Sequence, residues 1–116
     1  MSGEFRRARR REVDGTVPVV DAMLGTRVGR LGNVSETGLL LIGSTPLADD
    51  ALYQLAFELV GPDGAPFEVE AGTHLLWTSD AQAPGQTWAG LRFITVPQAQ
   101  MRLLRAWLDA PGARYR

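Results

Sequence analysis

The sequence predicts an all-β fold with one C-terminal helix, arranged as a small six-stranded antiparallel β-barrel behind a flexible N-terminal arm. Three observations support this fold class. Short apolar segments alternate with turns rich in Gly, Pro, Asn and Asp over residues 13–94, as in small barrels. The apolar spacing after that point becomes helical. Finally, 116 residues with 45% apolar side chains suffice for one modest core and not for two.

Six segments have the alternation or the short apolar run of a β-strand. They are residues 17–24, 27–31, 39–42, 52–60, 67–78 and 88–94. In the segment 52–60 every odd-numbered residue is aromatic or aliphatic, whereas Gln54 and Glu58 lie on the other face, as in a half-buried strand. Residues 61–64, Gly-Pro-Asp-Gly, are typical of a hairpin turn. Gly72 interrupts the fifth segment and is expected to mark a β-bulge.

The end of the chain predicts a helix over residues 96–109. Thr95 and Gln98 have the spacing of a capping box, in which each side chain covers a free backbone amide. Pro111 and Gly112 end the helix. Its apolar stripe is expected to pack on the barrel. The stripe recurs at helical spacing at Met101, Leu104 and Leu108 and is widened by Leu103 and Trp107.

Composition excludes several classes of protein. The chain has no cysteine, so disulfides and thiolate metal sites are excluded. The longest apolar run, residues 38–43, is too short to cross a bilayer. The basic start is followed by acidic residues rather than by an apolar stretch, so no signal peptide is predicted. We therefore expect a cytoplasmic protein without a membrane span, organised as an arm, residues 1–12, and a single domain, residues 13–116.

The most concentrated feature of the sequence is a cluster of five arginines within residues 6–11. All 12 basic residues are arginine, and seven of them precede residue 31. None lies between Arg30 and Arg92, a span that holds eight of the 13 acidic residues. Alone, such a cluster is typical of a solvated tail. Arginine is also the side chain best suited to phosphate and to the guanine edge, because its planar fork forms paired hydrogen bonds with both.

A polar turn, Asn33 to Gly38, separates two predicted strands. Asn33 and Ser35 are alternate residues and share a face if they continue a strand. Asn offers a donor and an acceptor to a base edge, and Ser adds a hydroxyl. Gly38 permits a positive φ or close backbone approach by a ligand. By itself the pattern indicates only a loop.

Taken together, the two motifs resemble those of the PilZ domain family. An R-x-x-x-R motif, residues 7–11, precedes an N-x-S-x-x-G motif, residues 33–38, on a small barrel. Residues 90–93, Gly-Leu-Arg-Phe, resemble the last barrel strand of the family, and a helix follows. PilZ domains are bacterial receptors for the second messenger cyclic di-GMP, and their fold is a six-stranded antiparallel barrel. The resemblance therefore implies the same fold and the same ligand here.

The resemblance also implies roles for individual residues. Arg7 and Arg11 would bind the phosphates and a guanine edge. Asn33 and Ser35 would bind a guanine from the barrel face, and Gly38 would shape the turn.

Two assignments stay open within this resemblance. Arg6 and Arg10 also satisfy R-x-x-x-R, although we prefer the frame of Arg7 and Arg11. An arginine directly before the motif, here Arg6, accompanies binding of an intercalated cyclic di-GMP dimer in the family. Arg9 and Arg10 would then be auxiliary positive charges or solvated side chains.

The tryptophans are assigned mainly to packing. Trp77 is a candidate for stacking on guanine, although barrel core is the commoner role of a tryptophan. Trp88 and Trp107 are assigned to packing.

The functional prediction is a receptor without catalytic activity or cofactor, which binds cyclic di-GMP and signals to an effector protein as its arm becomes ordered. An enzyme is disfavoured because His74 is the sole histidine and nothing offers Ser35 a base. One alternative is a PilZ-like protein adaptor independent of nucleotide. The other is a small barrel that binds single-stranded nucleic acid. The acidic middle of the chain and a net charge of -1 disfavour a DNA or RNA partner.

Overall fold

The computed structural model describes residues 8–81 and 83–116. The elements are β1 (Arg11–Glu12), β2 (Pro18–Asp21), β3 (Thr26–Val34), β4 (Gly38–Gly43), β5 (Leu52–Val60), β6 (Pro66–Asp80), β7 (Thr87–Thr95) and α1 (Gln98–Leu108). The predicted ligand residues Arg6 and Arg7 lie outside the described residues.

Six of the strands close into an antiparallel barrel. Hydrogen bonding runs in the order β3-β2-β5-β6-β7-β4, and β4 pairs again with β3 to complete the ring. The predicted fold class is therefore confirmed. The short strand β1 lies outside this ring and pairs with the carboxyl end of β3, beyond the part of β3 that pairs with β2.

The pairing of β1 changes the boundary predicted for the arm. Arg11 and Glu12, assigned from the sequence to a flexible arm of residues 1–12, lie opposite Val34 and Asn33 of β3. No sequence pattern predicts this pairing, because a two-residue strand has too few side chains to show a period of two.

Two other local predictions differ from the structure. The first predicted strand, residues 17–24, ends at Asp21, because the Asp21 carboxylate accepts hydrogen bonds from the amides of Met23 and Leu24 and turns the chain. The capping box is also wrong. The N-cap residue of α1 is Pro97, without a side-chain cap, since Thr95 belongs to β7 and pairs with Gly72.

Irregular registers adjust the curvature of the barrel. The expected bulge at Gly72 is present, because the β6–β7 register shifts between Gly72 and Thr73. A second shift lies between Leu75 and Trp77 of the same strand. In β3 the register with β4 shifts between Leu31 and Asn33, directly before the polar turn. Such irregularities re-aim neighbouring side chains, and the last of them precedes Asn33.

Helix α1 packs against the barrel, mainly on β6. Its buried residues are Leu104, Trp107 and Leu108, which join a core of aliphatic side chains from all six barrel strands. The helix lies within the predicted range 96–109 and packs on the barrel as its apolar stripe indicates. Within the described residues, no helix is long and apolar enough to cross a membrane.

The packing of α1 gives a stability prediction. Leu104 is fully buried, so Leu104→Ala should lower the free energy of unfolding by about 2–5 kcal/mol through lost contacts and a cavity. Leu103 on the same helix is 47% exposed, and Leu103→Ala is the control, with an expected loss of less than about 1 kcal/mol. Urea unfolding followed by circular dichroism measures both, and equal losses would contradict this account of the core.

Candidate functional site

The arginine-rich segment is held by backbone pairing on both sides. On one side β1 pairs with β3. On the other side lies the C-terminal tail, residues 113–116. The Glu12 amide donates to the Arg114 carbonyl at 2.8 Å, and the Arg116 amide donates to the Arg10 carbonyl at 2.9 Å. Arg11 and Tyr115 form an isolated β-bridge within this ladder. The arginine-rich segment, the end of β3 and the C-terminal tail therefore meet at one edge of the structure.

Arg10 contacts the polar turn. Its guanidinium Nη1 donates to Asn33 Oδ1 at 3.0 Å, and Asn33 is only 3% exposed. Asn33 lies opposite Glu12 in β1, so the arm passes directly beside the N-x-S-x-x-G motif. The structure thus brings together one arginine of the cluster and the first residue of the turn.

Arg11 faces the opposite way. Its guanidinium lies over the Trp107 ring, 4.0 Å from the centroid, and donates to the Trp107 carbonyl oxygen near the end of α1. Successive side chains of extended backbone point to opposite faces, so Arg10 and Arg11 cannot both face Asn33. In this structure Arg11, predicted from the resemblance to bind ligand, packs on the helix.

Ser35 and Gly38 stabilise the turn and the barrel. Ser35 is fully buried, and its Oγ accepts a hydrogen bond from the Thr37 amide at 3.1 Å. The Ser35 amide donates to the Gly38 carbonyl at 2.9 Å. A Cβ at Gly38 would lie 2.2 Å from the Leu91 carbonyl oxygen, so the close approach that requires glycine here is that of β7. Ser35 and Gly38 therefore both have a structural role that does not depend on a ligand.

A cleft of about 320 Å³ opens beside Asn33. We call it the Asn33 cleft. It is lined by Arg10, Asn33, Leu39, Leu40, Trp77, Trp88, Gly90 and Arg116. The lining combines two arginines, one carboxamide and two indoles with aliphatic side chains, and it contains no acidic residue. This is a site with hydrogen-bond donors and flat apolar surfaces for an anionic, aromatic ligand.

The two tryptophans of the cleft lie on the same face of the sheet. Trp77 pairs with Gly90, and Trp88 pairs with Ser79, two residues further along β6. A Cβ at Gly90 would lie 2.3 Å from Trp77 Nε1, so glycine gives the indole room to lie against β7. Trp77 remains 48% exposed, as a stacking surface requires.

The assignment of Trp88 to packing needs correction. Trp88 is 37% exposed and forms part of the cleft wall, whereas Trp107 is 5% exposed and packs in the core as predicted. Sequence reasoning missed Trp88 because it treated the strand containing it as an ordinary core strand. The alternation of side chains along β7 could have indicated this, because Trp88 shares its face with Gly90 rather than with the buried Ala89 and Leu91.

Arg10 is partly buried and lies near the charge of Arg116. Burial lowers the pKa of Arg10, and the nearby charge of Arg116 lowers it further. Arginine nonetheless remains protonated at neutral pH. The charge of Arg10 therefore has a hydrogen-bond acceptor in Asn33 but no anion among the residues that line the cleft.

The neighbouring arginines have acidic partners instead. Arg9 pairs with Asp109 at 2.5 Å and Arg105 pairs with Glu36 at 3.1 Å. Both pairs lie at the carboxyl end of α1, where the arm and the polar turn approach the helix. His74 pairs with Asp50 at 2.5 Å and does not line the cleft. Among the described residues, no group of three His, Cys, Asp or Glu side chains could hold a metal ion.

Comparison with known proteins identifies the family. The sequence profile of the PilZ domain matches residues 4–110, nearly the whole chain. The chain belongs to the PilZ domain family. Members of this family are receptor or adaptor domains, and the family is one of cyclic di-GMP receptors. No curated protein sequence matches the chain significantly.

A solved PilZ-fold structure supports the architecture. The Bacillus subtilis inhibitor of motility, MotI or DgrA, superposes with a TM-score of 0.69 at 14% sequence identity. The match covers 89% of this chain and 49% of that one, so the PilZ domain spans about half the length of its structural neighbour. At this identity the likeness concerns the fold alone.

The contact between Trp77 and Gly90 gives a prediction on the shape of the cleft. Gly90→Ala should displace the Trp77 indole, because the new methyl group would overlap its Nε1 edge. The expected result is a changed near-ultraviolet circular dichroism band with far-ultraviolet signal retained. Trp77→Phe identifies the band that belongs to Trp77. An unchanged near-ultraviolet spectrum in Gly90→Ala would contradict the contact between the Trp77 indole and Gly90.

Proposed function

We propose that this PilZ domain is a receptor for cyclic di-GMP and binds it in the Asn33 cleft. The observation that carries the proposal is the pairing of Arg10 with Asn33 in a cleft that has exposed indoles and no acid. Cyclic di-GMP has two phosphodiesters and two guanines, and each has a matching group in this lining. No cofactor takes part.

The polar residues of the cleft would divide the recognition of the ligand. Arg10 would bind a phosphate or the O6 and N7 atoms of guanine with its paired donors. Asn33 already accepts from Arg10 through Oδ1, which leaves its Nδ2 donors for a base edge. Ser35 would act by holding the turn on which Asn33 depends, and Gly38 by permitting the turn to approach β7.

Aromatic contacts would supply the remaining binding energy. Trp77 and Trp88 expose flat faces in one cleft, and base–aromatic stacking contributes about 1–3 kcal/mol per base in single-stranded nucleic-acid complexes. A cleft of about 320 Å³ lies at the lower end of the usual range for small-molecule sites. The ligand would therefore extend beyond the cleft.

Each of the two possible R-x-x-x-R pairs has its second arginine among the described residues. Arg10 faces the cleft and Arg11 faces α1, which favours the pair of Arg6 and Arg10. In the frame of Arg7 and Arg11, Arg11 would first have to leave Trp107. Arg6 and Arg7 enter the proposal through the family resemblance, as does an intercalated cyclic di-GMP dimer at 2:1 stoichiometry.

Signalling would pass through the carboxyl end of α1. Arg9 and Arg11 of the arm contact Asp109 and Trp107, and Glu36 of the turn contacts Arg105. A ligand that draws the arm and the turn together changes contacts on this one surface. An effector protein in the cytoplasm that recognises the changed surface would read the state of the receptor.

Isothermal titration of the folded chain with cyclic di-GMP tests the proposal and measures stoichiometry. Arg10→Gln should weaken binding roughly ten- to hundredfold, since a charge-assisted hydrogen bond contributes about 1.5–3 kcal/mol. Arg102→Gln, on the exposed face of α1, is the control with matched charge loss and should bind like the wild type.

Cyclic di-AMP serves as the comparison ligand. Adenine lacks the O6 acceptor that guanine offers to arginine, so it should bind much more weakly than cyclic di-GMP. Absence of heat with cyclic di-GMP at tens of micromolar folded protein would refute the receptor and favour a nucleotide-independent adaptor. Equal binding of a guanine-free single-stranded oligonucleotide, with steep salt dependence, would instead indicate nucleic-acid binding.

A further inference from the structure

The C-terminal tail brings a second arginine into the Asn33 cleft. Arg116 lies outside both sequence motifs, yet it lines the cleft together with Arg10. We propose that Arg116 is a ligand-binding residue, supplied by the tail, that shares a phosphodiester of the nucleotide with Arg10. This inference rests on the proposed function, because it assigns a further contact within the same site.

The tail is held in register with the arm by several independent contacts. The Arg116 amide donates to the Arg10 carbonyl, and the Glu12 amide donates to the Arg114 carbonyl. The Tyr115 hydroxyl donates to the Leu108 carbonyl at the end of α1. The Arg114 side chain pairs with Asp14 at 2.9 Å. The two backbone bonds and the Tyr115 bond fix the position of residue 116 relative to residue 10 without using the Arg116 side chain, and the exposed Arg114–Asp14 pair adds little.

The charges of this pair are arranged for an anion. Like charges at neighbouring positions on paired strands destabilise a fold, and the charge of Arg116 contributes to the lowered pKa of Arg10. Among the described residues, neither arginine has an acidic partner within salt-bridge distance, in contrast to Arg9 and Arg114. A phosphodiester between the two guanidiniums would remove this repulsion and accept hydrogen bonds from both.

This arrangement predicts opposite effects on stability and binding. Removing the Arg116 charge relieves repulsion in the free protein, so it should leave the melting temperature unchanged or raise it. The same change removes a phosphate contact, so it should weaken binding of cyclic di-GMP. Substitution of a residue with a purely structural role would lower both the melting temperature and the affinity for cyclic di-GMP.

The test uses the full chain with Arg116→Gln, Arg116→Lys and the tail control Arg114→Gln. Titration calorimetry with cyclic di-GMP should show a roughly ten- to hundredfold weaker affinity for Arg116→Gln. Arg116→Lys should recover part of that loss, because it restores the charge without the fork. Arg114→Gln should stay within about threefold of the wild type, since an exposed ion pair contributes little. Thermal unfolding without ligand should show no loss of stability in Arg116→Gln.

Two outcomes would overturn the inference, and they differ from a failure of the proposed function. Wild-type affinity in Arg116→Gln would exclude Arg116 from the site. Parallel losses of melting temperature and affinity in Arg116→Gln would assign it a structural role only. If the wild type itself does not bind cyclic di-GMP, the proposed function fails, and the inference fails with it.

Discussion

The candidate site depends on a short backbone ladder that holds residues 10–12 between β3 and the C-terminal tail. Each hydrogen bond of this ladder makes only a modest net contribution to the stability of the fold. Together they bring three distant parts of the chain to one edge of the barrel. Without this ladder the arginine cluster would be the solvated tail that its composition suggests. With it, one arginine reaches Asn33 and another reaches α1.

The ladder also creates an electrostatic imbalance in the Asn33 cleft. Arginines around the end of α1 are neutralised by Asp109 and Glu36, whereas Arg10 and Arg116 meet in a lining without acid. A fold that only had to be stable would gain from an acidic residue there, because paired charges cost less to bury than isolated ones. The arrangement is understandable if an anionic ligand completes it.

If the proposed function holds, binding and output would be coupled through contacts between the arm, the polar turn and the end of α1 rather than through the buried core. The ion pairs that tie the arm and the polar turn to α1 are exposed, and such pairs are worth about 0–1 kcal/mol each. Contacts of that strength would be readily exchanged if a ligand engaged Arg10. The buried residues Ser35 and Leu104, by contrast, keep the turn and the helix in place throughout.

The sequence by itself determined the barrel, its closing helix and the two motifs, because strand alternation, glycine turns and helical spacing are local properties of the chain. It predicted Asn33, Ser35 and Gly38 as one turn. The structure places Asn33 at the end of β3 and Gly38 at the start of β4, and hydrogen bonds within residues 35–38 close the turn between the two strands. Only the tertiary structure decided that Arg10 faces Asn33, that Arg11 lies on Trp107, and that Trp88 and Arg116 line the same cleft. Those contacts join residues far apart in the chain, and their geometry follows from barrel closure and from the docking of the tail, which no local pattern encodes.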